Sequence, residues 1–247
     1  MNKRPIIICG IGTDVGKTLV SAIITEALAA DYWKPIQCGF ENDKKTVESL
    51  ISNPATVCHK EAYLFTQTLS PHAASKLDNV IIDPSSMMLP RTENYLVIEG
   101  CGGIMVPIDA TTLIVDLFCT WNPLWILVSK NYLGSINHTL LSLESLLSRS
   151  QTVCGIIFNG HSQPQSEEFI LNYTSLPCLG RLKTEPIINK EKIKWYASMW
   201  KKTLLLSGIL SLRQKINAPP CSLSGEKVPS SAQKMGKNTS MLSPLGG

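Results

Sequence analysis

Short, mainly apolar runs recur along the chain and alternate with stretches rich in alanine, leucine and isoleucine. These runs lie at 5–9, 32–36, 95–98, 124–129, 153–159 and, more weakly, 176–182. Runs of this length are typical of strands buried on both faces of a parallel sheet. Residues 17–30 and 136–148 predict helices between them, and residues 43–52 a short polar helix. We therefore expect an α/β fold with a doubly wound, mainly parallel sheet in three α/β/α layers.

The first apolar run leads into a glycine-rich loop that ends in Gly16-Lys17-Thr18 and opens a helical stretch. This order of strand, glycines, Gly-Lys-Thr and helix predicts a phosphate-binding loop, although a plain turn between strand and helix is the alternative. The backbone N–H groups of such a loop and the positive end of the helix hold phosphates. Lys17 is then expected at the terminal phosphates and Thr18 at the accompanying magnesium ion, so the sheet should be of the P-loop NTPase type.

The loop is one residue longer than usual and contains an acid. Five residues separate Gly10 from Gly16, and Asp14 is one of them. A carboxylate among phosphates is repulsive unless a metal ion or an amine lies between them. Asp14 therefore indicates chemistry beyond plain nucleotide hydrolysis.

Three more candidate residues lie at predicted strand ends. Lys34 lies within the second run near its carboxyl end, Glu99 directly follows the third run before a glycine-rich segment, and Asn159 ends the fifth. Ligands bind at the carboxyl edge of a doubly wound sheet, so Lys34 is expected near the phosphate loop and Glu99 at a magnesium site. The alternatives are a solvated edge lysine, an acid that caps a turn and, for Asn159, a turn residue rather than an adenine contact. Ser135 is expected to cap the helix 136–148.

Composition and charge restrict the class of protein. The chain has 247 residues with 44% apolar and 17% charged residues, which is ordinary for a globular α/β domain. Its net charge of +4 lies in the last 37 residues, and the balanced remainder gives no electrostatic reason to propose nucleic acid or a membrane as partner. Eight cysteines include no Cys-x-x-Cys pair, which argues against a disulfide framework or zinc site. No apolar run reaches the roughly 20 residues of a membrane span, and we expect a cytoplasmic protein.

The character of the chain changes near residue 211. Residues 211–247 are rich in proline, glycine and serine and show no apolar periodicity. Such a segment buries too little apolar surface to offset its ordering entropy. We expect a single catalytic domain over 1–210 and a disordered tail over 211–247, whose deletion should leave activity nearly unchanged.

Taken in order, five motifs resemble the dethiobiotin synthetase family over residues 5 to about 182. They are Gly-x5-Gly-Lys-Thr with Thr13-Asp14 inside it, Lys34-Pro35, Ser70-Pro71-His72, Glu99-Gly100-Cys101-Gly102-Gly103 and Leu133-Gly134-Ser135-Ile136-Asn137-His138. The resemblance implies a homodimeric, ATP-dependent cyclo-ligase of biotin synthesis that joins CO₂ to diaminopelargonic acid and closes the ureido ring. It further implies that a carbamate on the diamine attacks the γ-phosphate of ATP, and that the second amine then displaces phosphate.

The same resemblance implies a role for each candidate residue. Lys17 and Lys34 would act on the carbamate and the transferring phosphoryl group, and Mg²⁺ would be held by Thr18, Asp43 and Glu99. ATP would contact Asp14, Val15, Gly16, Lys17, Thr18 and Asn159. The diamine would contact Thr13, Lys34 and Cys38, and its carboxylate would be held by the neighbouring subunit through Gly134, Ser135, Ile136 and Asn137.

The sequence departs from the family pattern at a few positions. Ile11 and Gly12 stand where the family often has Thr and Asp, and Cys38 where it often has Ser, so the diamine contact there is expected to be looser. Residues 181–184 replace the usual Ile-Pro segment that contacts adenine. Two other functions remain open at this point, a nucleotide-switch ATPase of the partitioning type and a related ATP-dependent amidoligase.

Overall fold

The computed structural model describes residues 3–207, and the predicted tail at 211–247 lies outside them. The strands of the described part are β1 (Ile6–Gly10), β2 (Asp31–Trp33), β3 (Ile36–Cys38), β4 (Tyr63–Phe65), β5 (Leu96–Gly103), β6 (Leu124–Lys130), β7 (Thr152–Asn159) and β8 (Cys178–Leu182). The helices are α1 (Lys17–Leu28), α2 (Asp43–Leu50), α3 (Pro71–Leu77), α4 (Ile114–Cys119), α5 (Ser135–Leu147), α6 (Pro164–Thr174) and α7 (Lys190–Leu206), with a 3-10 turn at Pro84–Ser86.

Six strands form one sheet in the order β2-β5-β1-β6-β7-β8, and every pair in it is parallel. Helix α1 packs on α7 and β5, whereas α5 packs on α6, β6 and β7, which gives the three-layer arrangement. The predicted doubly wound α/β fold is therefore confirmed. Because β1 is central and its carboxyl end leads into the glycine-rich loop, that loop lies in the middle of the ligand-binding edge.

The apolar runs are continuous because the central strands are buried on both faces of the sheet. Ile6, Ile7 and Ile8 of β1 are fully buried, as expected for a strand covered on both faces. On α1 the buried residues include Val20, Ile23, Ile24 and Ala27, whose spacing places them on one side of a helix. Helices α6 and α7 were not predicted from the sequence. Helix α7 buries five residues at helical spacing, namely Ile193, Tyr196, Ala197, Trp200 and Leu204.

The predicted strand at 32–36 was wrong in its extent. The chain forms β2 up to Trp33, and β3 begins at Ile36 and pairs with β4 in a separate two-stranded sheet. Proline has no N–H to donate to a strand ladder, and Pro35 lies between the two strands. Lys34 therefore lies at a bend between two sheets rather than inside a strand.

Two further boundaries differ from those predicted. Strand β5 continues to Gly103, so Glu99 lies in the middle of the strand and not at its tip. The residue that caps α5 is Gly134, with φ of 99°, and Ser135 is instead the first helical residue and is buried. A left-handed backbone strains any residue with a Cβ, which is why glycine takes this position. Among the helices of residues 3–207, none has the length and hydrophobicity needed to cross a membrane.

Candidate active site

The phosphate-binding loop between β1 and α1 is held in a tight conformation by its own side chains. The Lys17 ammonium group donates a 2.9 Å hydrogen bond to the backbone carbonyl of Gly12, so its aliphatic chain folds back over the loop. Gly16 has φ of 93°, and a Cβ there would overlap the amide nitrogen of Asn159. The loop therefore needs glycine at this position for two reasons, backbone conformation and close approach.

Two strand ends support the carbonyl groups of the same loop. Asn159, at the end of β7, donates from Nδ2 to the carbonyl of Val15 at 2.8 Å. Lys130, at the end of β6, donates to the carbonyl of Asp14 at 3.2 Å. Asp14 itself is exposed and has φ of 56°. With their carbonyls engaged in this way, the loop and the first turn of α1 leave backbone N–H groups for an anion.

Sheet register brings Lys34 to Glu99. Trp33 pairs with Ile98 across β2 and β5, so the next residue of each strand lies at the same height. The Lys34 ammonium group lies 2.9 Å from Glu99 Oε1 and 2.5 Å from Asp43 Oδ2. Both Lys34 and Glu99 are buried. The two carboxylates offset the cost of burying the positive charge of Lys34.

The predicted magnesium ligands converge on one point. The Thr18 hydroxyl lies 2.8 Å from Asp43 Oδ1 and 3.0 Å from Glu99 Oε1. All three side chains offer hard oxygen atoms, the donors that Mg²⁺ prefers. Within residues 3–207 no group of three or more His, Cys, Asp or Glu side chains could hold a metal. A magnesium site at this point, with Thr18 as one of its ligands, stays a prediction.

Asp43 reaches this point because it begins α2. Asn42 caps the helix by accepting a hydrogen bond from the Lys45 N–H at 2.9 Å. The Gln37 side chain accepts a bond of 3.4 Å from the Asp43 N–H. The cap fixes the start of α2. The Asp43 carboxylate is thereby directed towards Thr18 and Lys34.

The two lysines of the site differ in their electrostatic environment. Burial alone would lower the pKa of Lys34, but the carboxylates of Glu99 and Asp43 outweigh burial and raise that pKa above its usual value. Burial lowers the pKa of Lys17, and Lys34 lowers it further, although Glu99 partly opposes this. Lys34 therefore stays cationic in the site, and Lys17 is the cation that gains most from a neighbouring anion.

Comparison with known proteins decides the family. Residues 4–192 match a family model described as an AAA domain. The ATP-dependent dethiobiotin synthetase BioD of Christiangramia forsetii is 48% identical over 199 residues, which cover 80% of this chain and 96% of that relative. The enzyme of the same name from Chlamydia felis is 44% identical and covers 80% of this chain and 94% of its own. The chain belongs to the ATP-dependent dethiobiotin synthetase family.

A solved structure with a similar fold is the septum site-determining protein MinD of Pyrococcus horikoshii OT3, complexed with Mg-ADP. It covers 84% of this chain and 93% of its own, with 15% identity and a TM-score of 0.48. A likeness at this level carries no conclusion about function. Membership of the dethiobiotin synthetase family rests on the sequence relatives alone.

The residues expected to contact the diamine lie around the phosphate-binding loop. Thr13 is exposed at the turn of the loop, and Cys38 is half-buried at the end of β3. Burial and the neighbouring Cys101 raise the pKa of the Cys38 thiol to about 12, so Cys38 presents a neutral thiol. His72 lies at the start of α3, where its Nδ1 is 2.9 Å from the Ser70 hydroxyl.

The segment that begins α5 has one buried and several accessible residues. Gly134 and Asn137 are exposed, Ile136 is half-buried and Ser135 is buried. The described contacts of these residues are within one chain, so their predicted role in the neighbouring subunit stays a prediction.

A cleft of about 420 Å³ borders the phosphate-binding loop and was not predicted. Its lining comprises Ile11, Gly12, Thr13, Asp14, Val15, Lys130, Tyr132 and His138. The Tyr132 hydroxyl lies 2.7 Å from His138 Nδ1, across the turn that begins α5. Lys130 directly follows the apolar run 124–129, and this position at a predicted strand end is the sequence signal that could have identified it.

Proposed function

We propose that this chain is an ATP-dependent dethiobiotin synthetase that uses diaminopelargonic acid, CO₂ and ATP. The observation that carries the proposal is the contact of Lys34 with Glu99 and Asp43 beside the Gly16-Lys17-Thr18 loop. A second buried lysine and two carboxylates at the phosphate-binding loop suit phosphoryl transfer to an acceptor better than hydrolysis alone. The relatives named as dethiobiotin synthetases, at 44–48% identity, support the same substrates.

The proposed reaction has three chemical steps. A carbamate forms from CO₂ and one amine of the diamine, and its oxygen attacks the γ-phosphorus of ATP. An O–P bond forms as the bond from that phosphorus to ADP breaks, which leaves a carbamic-phosphoric anhydride. The second amine then attacks the carbonyl carbon, loses a proton and expels phosphate as the ureido ring closes.

Lys17 and Lys34 supply positive charge where negative charge grows. Both are buried, and charges fixed in a dry site stabilise a transition state more strongly than charges in water. The raised pKa of Lys34 keeps it protonated, so it acts as an electrostatic partner and not as a base. Asp14, exposed at the turn of the loop, would meet an amine of the substrate, whose positive charge would offset the repulsion between this carboxylate and the phosphates.

Thr18, Asp43 and Glu99 would hold the magnesium ion that accompanies ATP. When bound, this ion supplies charge neutralisation at the β- and γ-phosphates. Val15, Gly16 and the first N–H groups of α1 would hold the phosphates. Asn159 would contact adenine through its Oδ1 or its second Nδ2 N–H, since only one N–H of the amide is donated to the Val15 carbonyl.

The diamine and quaternary structure complete the proposal. Thr13, Lys34 and Cys38 would contact the diamine, while Gly134, Ser135, Ile136 and Asn137 of a neighbouring subunit would hold its carboxylate. A homodimer and a cytoplasmic location belong to the same proposal, by resemblance to the dethiobiotin synthetase family.

Phosphate release from ATP tests the proposal. We expect release to require Mg²⁺, diaminopelargonic acid and bicarbonate together, with dethiobiotin formed in equal amount. Omitting either bicarbonate or the diamine should abolish release. ATPase activity that is indifferent to the diamine would contradict the proposal and favour a nucleotide-switch ATPase. Full release with a different amine, and none with diaminopelargonic acid, would indicate a related amidoligase.

A further inference from the structure

Tyr32 of β2 is a fully buried tyrosine that was not predicted to belong to the site. Tyr32 pairs with Val97 of β5, and residues two apart on a strand lie on the same face of a sheet. The Tyr32 side chain therefore extends along the face that carries Glu99. Its hydroxyl group donates a 2.8 Å hydrogen bond to Glu99 Oε2.

The two oxygen atoms of Glu99 have separate partners. Oε1 lies 2.9 Å from the Lys34 ammonium group and 3.0 Å from the Thr18 hydroxyl. Oε2 receives the Tyr32 hydroxyl. The donor on Oε2 thus sets the rotation of the carboxylate about its Cγ–Cδ axis, and with it the direction of Oε1.

Burial makes this hydrogen bond important. Glu99 is only 1% exposed, and an ionised carboxylate in such a place needs hydrogen-bond donors on its oxygens. Groups that orient a metal-binding side chain commonly change metal affinity when they are removed. Tyr32 makes no use of its hydroxyl elsewhere among the hydrogen bonds of residues 3–207.

We propose that Tyr32 is a positioning residue for the metal-binding carboxylate: its hydroxyl holds Glu99 Oε2 so that Oε1 faces Thr18 and Asp43. This inference rests on the proposed role of Glu99 as a magnesium ligand. Loss of the Tyr32 hydroxyl is therefore expected to weaken metal binding, and a lower stability of the fold alone would not account for its role. Tyr32 would act on the metal only through Glu99, the residue that its hydroxyl contacts.

The test compares Mn²⁺ binding to the full chain in the presence of ADP, measured from the electron paramagnetic resonance signal of unbound Mn²⁺. Tyr32→Phe keeps the ring and removes only the hydroxyl, and we expect about tenfold weaker Mn²⁺ binding. The control is Tyr63→Phe, which removes a tyrosine hydroxyl that accepts a hydrogen bond from the Asp83 N–H outside the site. This control should stay within about twofold of the wild type.

A double-mutant cycle separates positioning from a general effect on the fold. In a Glu99→Gln background, Tyr32→Phe should cost little further Mn²⁺ affinity, because the carboxylate that it orients is gone. A tenfold loss of Mn²⁺ affinity that persists in this background would overturn the inference. A Tyr32→Phe variant that binds Mn²⁺ within about twofold of the wild type, and differs only in a lower melting temperature, would also overturn it.

A second variant guards against misfolding of the first. 4-Fluorophenylalanine at position 32 fills nearly the volume of the tyrosine with an atom that cannot donate a hydrogen bond, and the same tenfold loss is expected. Turnover of the wild type with diaminopelargonic acid is measured separately. Absence of turnover in the wild type would contradict the proposed function alone. Unchanged Mn²⁺ affinity in Tyr32→Phe and in the 4-fluorophenylalanine variant would contradict the role of Tyr32 alone.

Discussion

The ammonium group of Lys34 lies 2.9 Å from Glu99 Oε1, although the two residues are 65 positions apart in the chain. Parallel pairing of β2 with β5 produces this contact, because Trp33 and Ile98 are partners and the following residues stay level. Asp43 meets the same ammonium group from the start of α2. A buried cation held between two carboxylates has a fixed position, which is the property that electrostatic catalysis requires.

Replacing either buried lysine should lower turnover strongly. We expect Lys34→Ala and Lys17→Ala each to reduce kcat/KM by at least ~100-fold, because charge that develops during phosphoryl transfer loses its partner. Steady-state phosphate release measures the effect. The matched control is Lys44→Ala, whose ammonium group lies 3.8 Å from Glu48 on the exposed side of α2. Normal turnover in Lys17→Ala or Lys34→Ala would mean that its role is misassigned.

Removing one carboxylate should change the dependence on magnesium. Asp43→Asn keeps the shape of the side chain but leaves Lys34 with one fewer anion, and it replaces the charged carboxylate beside Thr18 with a neutral amide. We expect the Mg²⁺ concentration for half-maximal turnover to rise by about tenfold or more. Glu48→Gln on the same helix should leave it unchanged. An unaltered Mg²⁺ titration in Asp43→Asn would exclude Asp43 as a ligand.

The two loop glycines should differ sharply when replaced. A Cβ at Gly16 meets the Asn159 amide and is strained at φ of 93°, so Gly16→Ala should destabilise the folded loop by about 1–3 kcal/mol. A Cβ at Gly12 meets no atom within 4 Å. Gly12→Ala should therefore change the free energy of unfolding by less than about 1 kcal/mol. Urea denaturation without nucleotide gives both values, and equal effects would contradict the close approach of Asn159.

Asp31 should make stability depend on acidic pH. Burial alone would raise the pKa of this carboxyl, but hydrogen bonds from Thr92, the Val57 N–H and Asn94 outweigh burial and lower the pKa. A folded pKa below the unfolded value means that the stabilisation is present above about pH 4 and is lost as the pH falls through the lowered pKa. His59 Nε2, 3.3 Å away, is the titratable group that faces Asp31.

Asp31→Asn tests this dependence through thermal melts at several pH values. The variant should be less stable than the wild type by about 1–3 kcal/mol at pH 7, since it loses hydrogen bonds to a charged acceptor. The difference should shrink towards pH 3, where the wild-type carboxyl begins to take up a proton. The exposed Asp116, which pairs with Arg149 at the surface, provides the control Asp116→Asn. A constant difference from pH 7 to pH 3 would contradict the lowered pKa.

Much of the fold followed from local patterns. Fully buried strands read as continuous apolar runs because both faces are covered, and Ile6 to Ile8 illustrate this. Helices α6 and α7 were not predicted because many polar residues lie between their apolar ones, so no regular apolar spacing stands out in the sequence. The burial of Trp200 and Leu204 in the structure shows which face of α7 packs on the domain. The break at Pro35 was missed because a mainly apolar run on both sides of a proline resembles one strand.

The sequence by itself determined that a phosphate-binding loop follows the first strand, since strand, glycines, Gly-Lys-Thr and helix are consecutive and their geometry is local. It also marked Lys34 and Glu99 as polar residues beside apolar runs. Only the tertiary structure decided that these two meet, that Tyr32 holds the other oxygen of Glu99, and that Asn159 supports the loop through Val15. These contacts depend on which strands are neighbours and on their register, and pairing between distant strands leaves no local mark in the sequence.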